Sequence, residues 1–309
     1  MKILVTCPPM LGMMGEFLSQ FRKKQIDVHC PQVVQTLSEE ELIQLVPQFD
    51  GWVIGDDPAT RRVLAAGKSG ALKAAVKWGI GVDNIDLTAA HELGVAVANT
   101  PNMFGSEVAD VAMAYVVGLA RELFVIDRDV RNGRWPKPSG ISLSGKTAGV
   151  IGFGDIGRNI ATRLLAAEMK VIAYDPAFKP TSKTSGVHAH QWPERIEECD
   201  FLILACPLTN ETLHILNSDR LESARQGVCI VNVSRGAVID ESALIAALRT
   251  GKVRSAALEV FENEPLPMSS PLRQFDRCIF GSHNASNTLE AVRKTSERAM
   301  SILFELLDV

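Results

Sequence analysis

The 309-residue chain lacks a long apolar run. Its longest mostly apolar stretch, Val111 to Ala120, is too short to span a bilayer and directly follows Asp110. The opening MKILVTCPP carries one lysine and then a short apolar run, which reads as a buried strand and not as the apolar region of a signal peptide. Charge of one sign is also scarce. With 32 basic and 36 acidic residues the formal net charge is −4, so no polyelectrolyte partner such as a nucleic acid is favoured. Cysteine is sparse: Cys7, Cys30, Cys199, Cys206, Cys229 and Cys278 contain no CxxC pair, and they read as reduced, buried thiols of a cytoplasmic protein. No HExxH or comparable ligand pattern involves the histidines, and Ser234 lacks the GxSxG setting of a hydrolase nucleophile. His188 and His190 read as loop residues. There is no internal repeat and no low-complexity tract. Apolar residues at 46% and charged residues at 22% exclude a disordered chain, a collagen-like fibre and a long coiled coil. Domains usually take about 100–200 residues, so this length suggests two.

What is present is a series of short apolar runs, each followed by a helix-like segment. They are Ile3–Thr6, Gly51–Ile54, Ala75–Lys77, Ala148–Ile151, Val171–Tyr174, Phe201–Ala205, Val228–Val233 and Cys278–Phe280. Continuous apolar runs of this length suit strands buried on both faces of a parallel sheet. Their alternation with helical segments predicts an α/β fold. A longer helix is expected over Val108–Glu122, with loops at Arg131–Gly145 and Pro176–Gly186. Composition alone places no domain boundary.

Residues 148–157 read AGVIGFGDIG, a GxGxxG directly after a strand and at the start of a helix. Gly152 permits a tight turn, Gly154 lets backbone approach a pyrophosphate, and Gly157 lets the helix pack on the strand. The helix N-terminus offers unpaired N–H groups to phosphate. Asp175 ends the next strand, 18 residues beyond Gly157. An acid there suits ribose hydroxyls and repels a 2′-phosphate, which favours NAD over NADP. The plainer readings are a glycine-rich turn and a strand-end aspartate. Cys206, after the run FLILA, reads as a small apolar filler near the adenine side.

Three polar residues stand at the ends of later elements: Arg235 in NVSRGAVID, Glu264 in EVFENEPLP and His283 in GSHNASNT. Ligands bind beyond the C-terminal ends of strands in open α/β sheets. An arginine can pair with a carboxylate and polarise a carbonyl. A histidine can give or take a proton, and a carboxylate beside it orients the ring. Taken singly, the plainer readings carry more weight: a capping or surface arginine, a solvated loop acid and a structural histidine. Sequence spacing does not bring the three together.

Taken as a set, four motifs resemble the D-isomer-specific 2-hydroxyacid dehydrogenase family over nearly the whole chain. They are KWGIGVDNIDLTAAHELGVAVANTP (77–101), GVIGFGDIG followed by YDP, NVSRGAVIDESALIAAL, and AALEVFENEPLP followed by SHNASNT. NTPNMFGSEVADVA looks most like the phosphoglycerate dehydrogenase-like branch. The resemblance implies two Rossmann-like domains, parallel sheets flanked by helices, with the active site in a cleft between them. Residues 1–100 plus 285–309 would form the substrate-binding domain, and 101–284 the NAD-binding domain. The helix near Val108–Glu122 would belong to a homodimer interface. Arg235, Glu264 and His283 match the catalytic trio, with His283 as acid/base, Glu264 as its partner and Arg235 on the substrate. Ile80 and Gly81 match the loop whose N–H groups hold the substrate carboxylate. Asp155 and Ile156 match contacts to the pyrophosphate, and Asp175 the ribose ligand. Pro207 and Thr212 match the adenosine side, Val233 and Glu259 the nicotinamide end.

Two departures stand out. Glu259 replaces the family's usual aspartate, and Ser282-His283 lacks the usual preceding proline. No basic residue is identifiable for a substrate phosphate; Lys77, Arg61 and Arg62 are candidates, with solvated surface roles preferred. No regulatory domain is expected after the catalytic part. The implied function is NAD-dependent hydride transfer at C2 of a small 2-oxo or 2-hydroxy acid, with 3-phosphohydroxypyruvate, hydroxypyruvate, glyoxylate and pyruvate as candidates. Alternatives are an NAD(H)-sensing binding protein of the same fold and a phosphite-type dehydrogenase. No nucleic acid, membrane or metal is implied.

Overall fold

The computed structural model describes residues 1–181 and 184–309. Within the Pro176–Gly186 loop, Ser182 and Lys183 lie outside the described residues. The chain forms two compact units, Met1–Met103 with Asn287–Val309, and Phe104–Ser286.

The first unit holds β1 (Lys2–Val5), β2 (Asp27–His29), β3 (Gly51–Ile54), β4 (Ala74–Lys77) and β5 (Ala96–Asn99). They form one parallel sheet in the order β2-β1-β3-β4-β5. β3 and β4 are buried along their whole length, as their unbroken apolar runs require. One face packs Leu4, Trp52, Ile54 and Ala75 against Leu42, Val63, Leu64, Ala89 and Ala90 from three helices. On the other face lies the last helix, Leu289–Leu306, whose Leu303 side chain, with that of Leu307 just beyond it, presses on Gly51. Phe304 of that helix meets Phe21 edge-on at 5.6 Å. Burying each such side chain contributes roughly 1.5–3 kcal/mol. These contacts draw the C-terminal segment into the first unit.

The second unit holds β6 (Thr147–Ile151), β7 (Lys170–Tyr174), β8 (Val187–Ala189), β9 (Phe201–Leu204), β10 (Val228–Asn232), β11 (Val253–Leu258) and β12 (Ile279–Phe280). All pair in parallel, in the order β12-β11-β10-β9-β6-β7-β8. The chain runs outward from β6 to β8, returns to β9 on the other side of β6, and proceeds to β12. The strand order therefore reverses between β6 and β9, the crevice where open α/β sheets bind ligands. The helix Gly105–Arg121 packs on Asp155–Ala166, with Arg163 Nε donating to Asp110 Oδ1 at 2.7 Å. It begins three residues earlier than the apolar pattern suggests, so Asp110 falls in its second turn.

Every one of the eight expected runs holds a strand. β2, β5, β8 and β11 were not expected. β2 and β8 are short, largely exposed edge strands, β5 is a half-buried edge, and β11 carries Arg254 and Ser255 within VRSAAL. His188 accordingly lies in a strand and not in a loop. Cys30 is exposed, against the expectation of burial; the other five thiols are buried. Among the described residues, no helix is long and apolar enough to cross a membrane. Nor does any cluster of His, Cys, Asp or Glu there suit a metal ion.

Candidate active site

The glycine turn after β6 is shaped by contacts that exclude side chains. Gly152 has φ +89, and a Cβ on it would lie 2.5 Å from the backbone N and Cα of Cys206. A Cβ on Gly157 would overlap the Gly152 carbonyl. At Gly154 a Cβ would meet nothing within 4 Å, so the open cradle lies at the middle glycine. Gly154 is also the N-cap of the helix Asp155–Ala166, and it has no capping side chain. The first N–H groups of that helix, at Asp155, Ile156 and Gly157, have no acceptor within the helix, an arrangement that suits an anion.

Asp175 follows β7 and is half-buried. Its Oδ2 accepts from Phe153 N at 2.6 Å and its Oδ1 from Ala177 N at 2.7 Å, tying the strand end to the glycine turn. A carboxylate has lone pairs beyond these two bonds. Across the crevice, Thr212 Oγ1 donates to the Pro207 carbonyl at 2.6 Å and accepts from Thr209 N at 2.7 Å, which folds Pro207–Thr212 into one turn after β9. Cys206 is buried there, and burial pushes its thiol up to about 11, in keeping with a filler.

After β10, Asn232 shapes the turn that bears Arg235. Its Oδ1 accepts from Ser234 N and Oγ, both at 3.0 Å, and its Nδ2 donates to the Arg235 carbonyl at 2.8 Å. Val233 is buried beside it. Gly236 abuts the Phe261 and Glu262 backbone so closely that a Cβ would overlap it. Arg235 thus stands at the C-terminal end of β10, next to the strand that leads to Glu259 and Glu264.

Glu264 and His283 are brought together. His283 Nδ1 lies 2.8 Å from Glu264 Oε2, and Glu264 Oε1 accepts from Phe261 N at 2.9 Å. Both side chains are about one-fifth to one-quarter exposed, so the pair is neither solvated nor sealed. A ring that donates from Nδ1 to this carboxylate leaves Nε2 as the nitrogen suited to exchange a proton. Glu259 is buried, with its carboxylate on Tyr115 Oη and Asn284 N. Asn232 and Tyr115 were not singled out from sequence. Asn232 had a visible signal, a strand-end asparagine three residues before Arg235; Tyr115 had none.

In the first unit, Gly79 takes φ +132 and donates its N–H to Thr100 Oγ1 at 2.8 Å. Asn99 Nδ2 holds the Ile80 carbonyl at 2.9 Å. Among the described residues, no acceptor meets the N–H groups of Ile80, Gly81 and Val82. Lys77, expected at the surface, is 2% exposed and donates to the Gly55 carbonyl and to Asp56 Oδ1 at 2.7 Å. Arg61 and Arg62 pair with Glu92 and Glu39 on the surface.

Two all-parallel helix-flanked sheets, one with a glycine turn at its switch point, define the dinucleotide-binding α/β class. A family model for the D-isomer specific 2-hydroxyacid dehydrogenase, NAD binding domain, matches residues 113–285, and the chain belongs to that family. It is 37% identical over 278 residues to a hydroxypyruvate reductase of Thermotoga maritima, covering 88% of this chain and 90% of that one. It is 36% identical over 295 residues to a D-3-phosphoglycerate dehydrogenase of Archaeoglobus fulgidus, covering 94% of this chain and 54% of the relative. The chain thus spans about half the length of the phosphoglycerate dehydrogenases it matches. A D-lactate dehydrogenase structure from Escherichia coli superposes with a TM-score of 0.83 at 30% identity, covering 100% of this chain and 97% of that one.

Proposed function

We propose that this chain is an NAD-dependent D-2-hydroxyacid dehydrogenase acting on a small 2-oxo or 2-hydroxy acid. The observation that carries the reading is the Glu264–His283 pair, which stands at the C-terminal edge of the sheet that carries the glycine turn. NADH, when bound, would supply the hydride for C2. His283 Nε2 gives the proton to the nascent alkoxide, and Glu264 stabilises the ring and fixes its orientation. In the oxidative direction the same nitrogen takes the proton back. Arg235 binds the carboxylate and polarises the carbonyl oxygen. Ile80 and Gly81 offer backbone N–H groups to the carboxylate. Gly152, Gly154, Asp155, Ile156 and Gly157 hold the pyrophosphate and Asp175 the ribose. Pro207 and Thr212 line the adenosine side, with Val233 and Glu259 near the nicotinamide end. The working form is a cytoplasmic homodimer.

The substrate is an unphosphorylated acid such as hydroxypyruvate or glyoxylate. What supports this is the likeness to the hydroxypyruvate reductase over 90% of that chain's length, together with the engagement of Lys77, Arg61 and Arg62 by Asp56, Glu92 and Glu39.

The test is His283→Ala. Turnover of the best 2-oxo acid falls by about 100- to 10,000-fold, the worth of a positioned acid/base, while NADH binding followed by fluorescence is retained. Wild-type turnover in that variant would remove His283 from the chemistry.

A further inference from the structure

We propose that Tyr115 and Glu259 form a positioning lock that holds the backbone turn carrying His283. The inference rests on the reading of His283 as acid/base.

Glu259 directly follows β11 and is 4% exposed. Its backbone is pinned on both sides: its N–H donates to the Asn232 carbonyl at 3.0 Å and its carbonyl accepts from His283 N at 2.9 Å. Its side chain then turns back on the same loop. Oε1 accepts from Asn284 N, so one residue holds two consecutive amides of the turn. Oε2 accepts from Tyr115 Oη, which comes from the buried face of the helix Gly105–Arg121.

Two features show that the turn needs holding. His283 has φ +55, a left-handed conformation that is uncommon in a non-glycine residue and favours a turn held by its neighbours. At Gly281 a Cβ would overlap the Glu259 carboxylate and sit 2.6 Å from Tyr115 Oη. The chain has a glycine where the carboxylate must pass to reach the tyrosine.

The lock also gives a reason for glutamate at this position. With the backbone of residue 259 pinned, an aspartate is one methylene too short to reach Tyr115 Oη while holding Asn284 N. The extra methylene and the tyrosine belong together. Through Asn232, the same network continues to the Arg235 turn, since Asn232 accepts from Glu259 N and donates to the Arg235 carbonyl. Tyr115 and Glu259 are positioning residues: they act on the reaction through the placement of His283.

The experiment compares Tyr115→Phe, which keeps the ring and deletes one hydroxyl, and Glu259→Asp with wild type. Glyoxylate reduction gives kcat and KM, NADH fluorescence gives cofactor affinity, and amide hydrogen exchange on the cofactor-free protein reads the 281–285 turn. The lock predicts kcat lower by about 10- to 100-fold, the cost of a small misplacement. In Tyr115→Phe, KM for glyoxylate and NADH affinity stay within about twofold, and in both variants the His283 and Asn284 amides exchange about tenfold faster or more as local opening becomes easier. Unchanged exchange in both variants would overturn the lock. Faster exchange with wild-type kcat would overturn its role in catalysis. Because exchange needs no turnover, a wild-type protein that reduces no 2-oxo acid would overturn the functional reading while the exchange result still decides the lock.

Discussion

The C-terminal edges of the two sheets shape their loops with a different balance of means. After β6, β10 and β12 the second unit uses glycine: at Gly152, Gly157, Gly236 and Gly281 a single added carbon would strike backbone or a buried carboxylate. After β1, β3 and β4 the first unit uses buried polar side chains. Asp57 is fully buried and accepts from Thr6 Oγ1 at 2.5 Å, Leu37 N at 2.9 Å and Gly55 N at 3.2 Å. Trp52 Nε1 donates to Thr6 Oγ1 at 2.9 Å, and Asn84 Nδ2 to the Asp57 carbonyl at 2.7 Å. Lys77 closes the cluster on Gly55 and Asp56. Burial pushes the Asp57 carboxyl up, while its three donors pull it back. Beside the Glu259 network, the second unit's edge is shaped chiefly by what it leaves out, and the first unit's chiefly by satisfying what it buries. The former leaves backbone donors to face a ligand. The latter leaves a firm base under the Gly79–Val82 loop.

Substitutions at each edge should therefore fail differently. Gly152→Ala forces a side chain into a positive-φ position and against the Cys206 backbone. It is expected to cost about 3–5 kcal/mol in stability, strain and overpacking together, and to weaken NADH binding. Wild-type NADH affinity in a folded Gly152→Ala protein would contradict this picture of the turn. Lys77→Met keeps the stem and removes the charge that pairs with Asp56. Breaking a buried pair costs about 3–5 kcal/mol, and solvent at the partly exposed Asp56 reduces this to about 2–3 kcal/mol. Urea unfolding should show that loss with NADH affinity unchanged. A loss of affinity equal to that of Gly152→Ala would erase the distinction between the two edges.

The smallest effect concerns alkali. The only two tyrosines, Tyr115 and Tyr174, both lie in the second unit. Burial raises both phenols, Glu259 adding to it at Tyr115 and Cys199 at Tyr174. Above about pH 10 the unfolded chain loses these protons and the folded one keeps them. Stability therefore falls as pH rises, by at most about 1.4 kcal/mol per pH unit for each tyrosine. Absorbance titration should show tyrosinate only as the second unit unfolds. Tyrosinate near the ordinary phenol range in the folded protein would place one of the rings in solvent.

The contrast between the edges also explains what is legible in the sequence. Glycine spacing is local, so the 152–154–157 turn can be read from the residues alone, as can strands buried on both faces. β11 is hidden because Arg254 and Ser255 interrupt its apolar pattern, and β2 and β8 because edge strands need no apolar pattern at all. A buried polar cluster assembles from separate strand ends, so Lys77 looks like an ordinary surface lysine. Glu264 and His283 stand 19 residues apart, and only the adjacency of β11 and β12 makes them a pair. Tyr115 sits in a largely apolar stretch of its helix, and nothing in that pattern marks its hydroxyl as a partner of Glu259.

The most direct test of the central claim is the reduction of hydroxypyruvate, glyoxylate, pyruvate and 3-phosphohydroxypyruvate, each with NADH and with NADPH. The expected result is turnover that requires NADH and is faster with an unphosphorylated acid. Equal use of NADPH would remove Asp175 as the selector of cofactor. No turnover of any of the four acids, by a protein that binds NADH, would contradict the claim that this chain is a 2-hydroxyacid dehydrogenase.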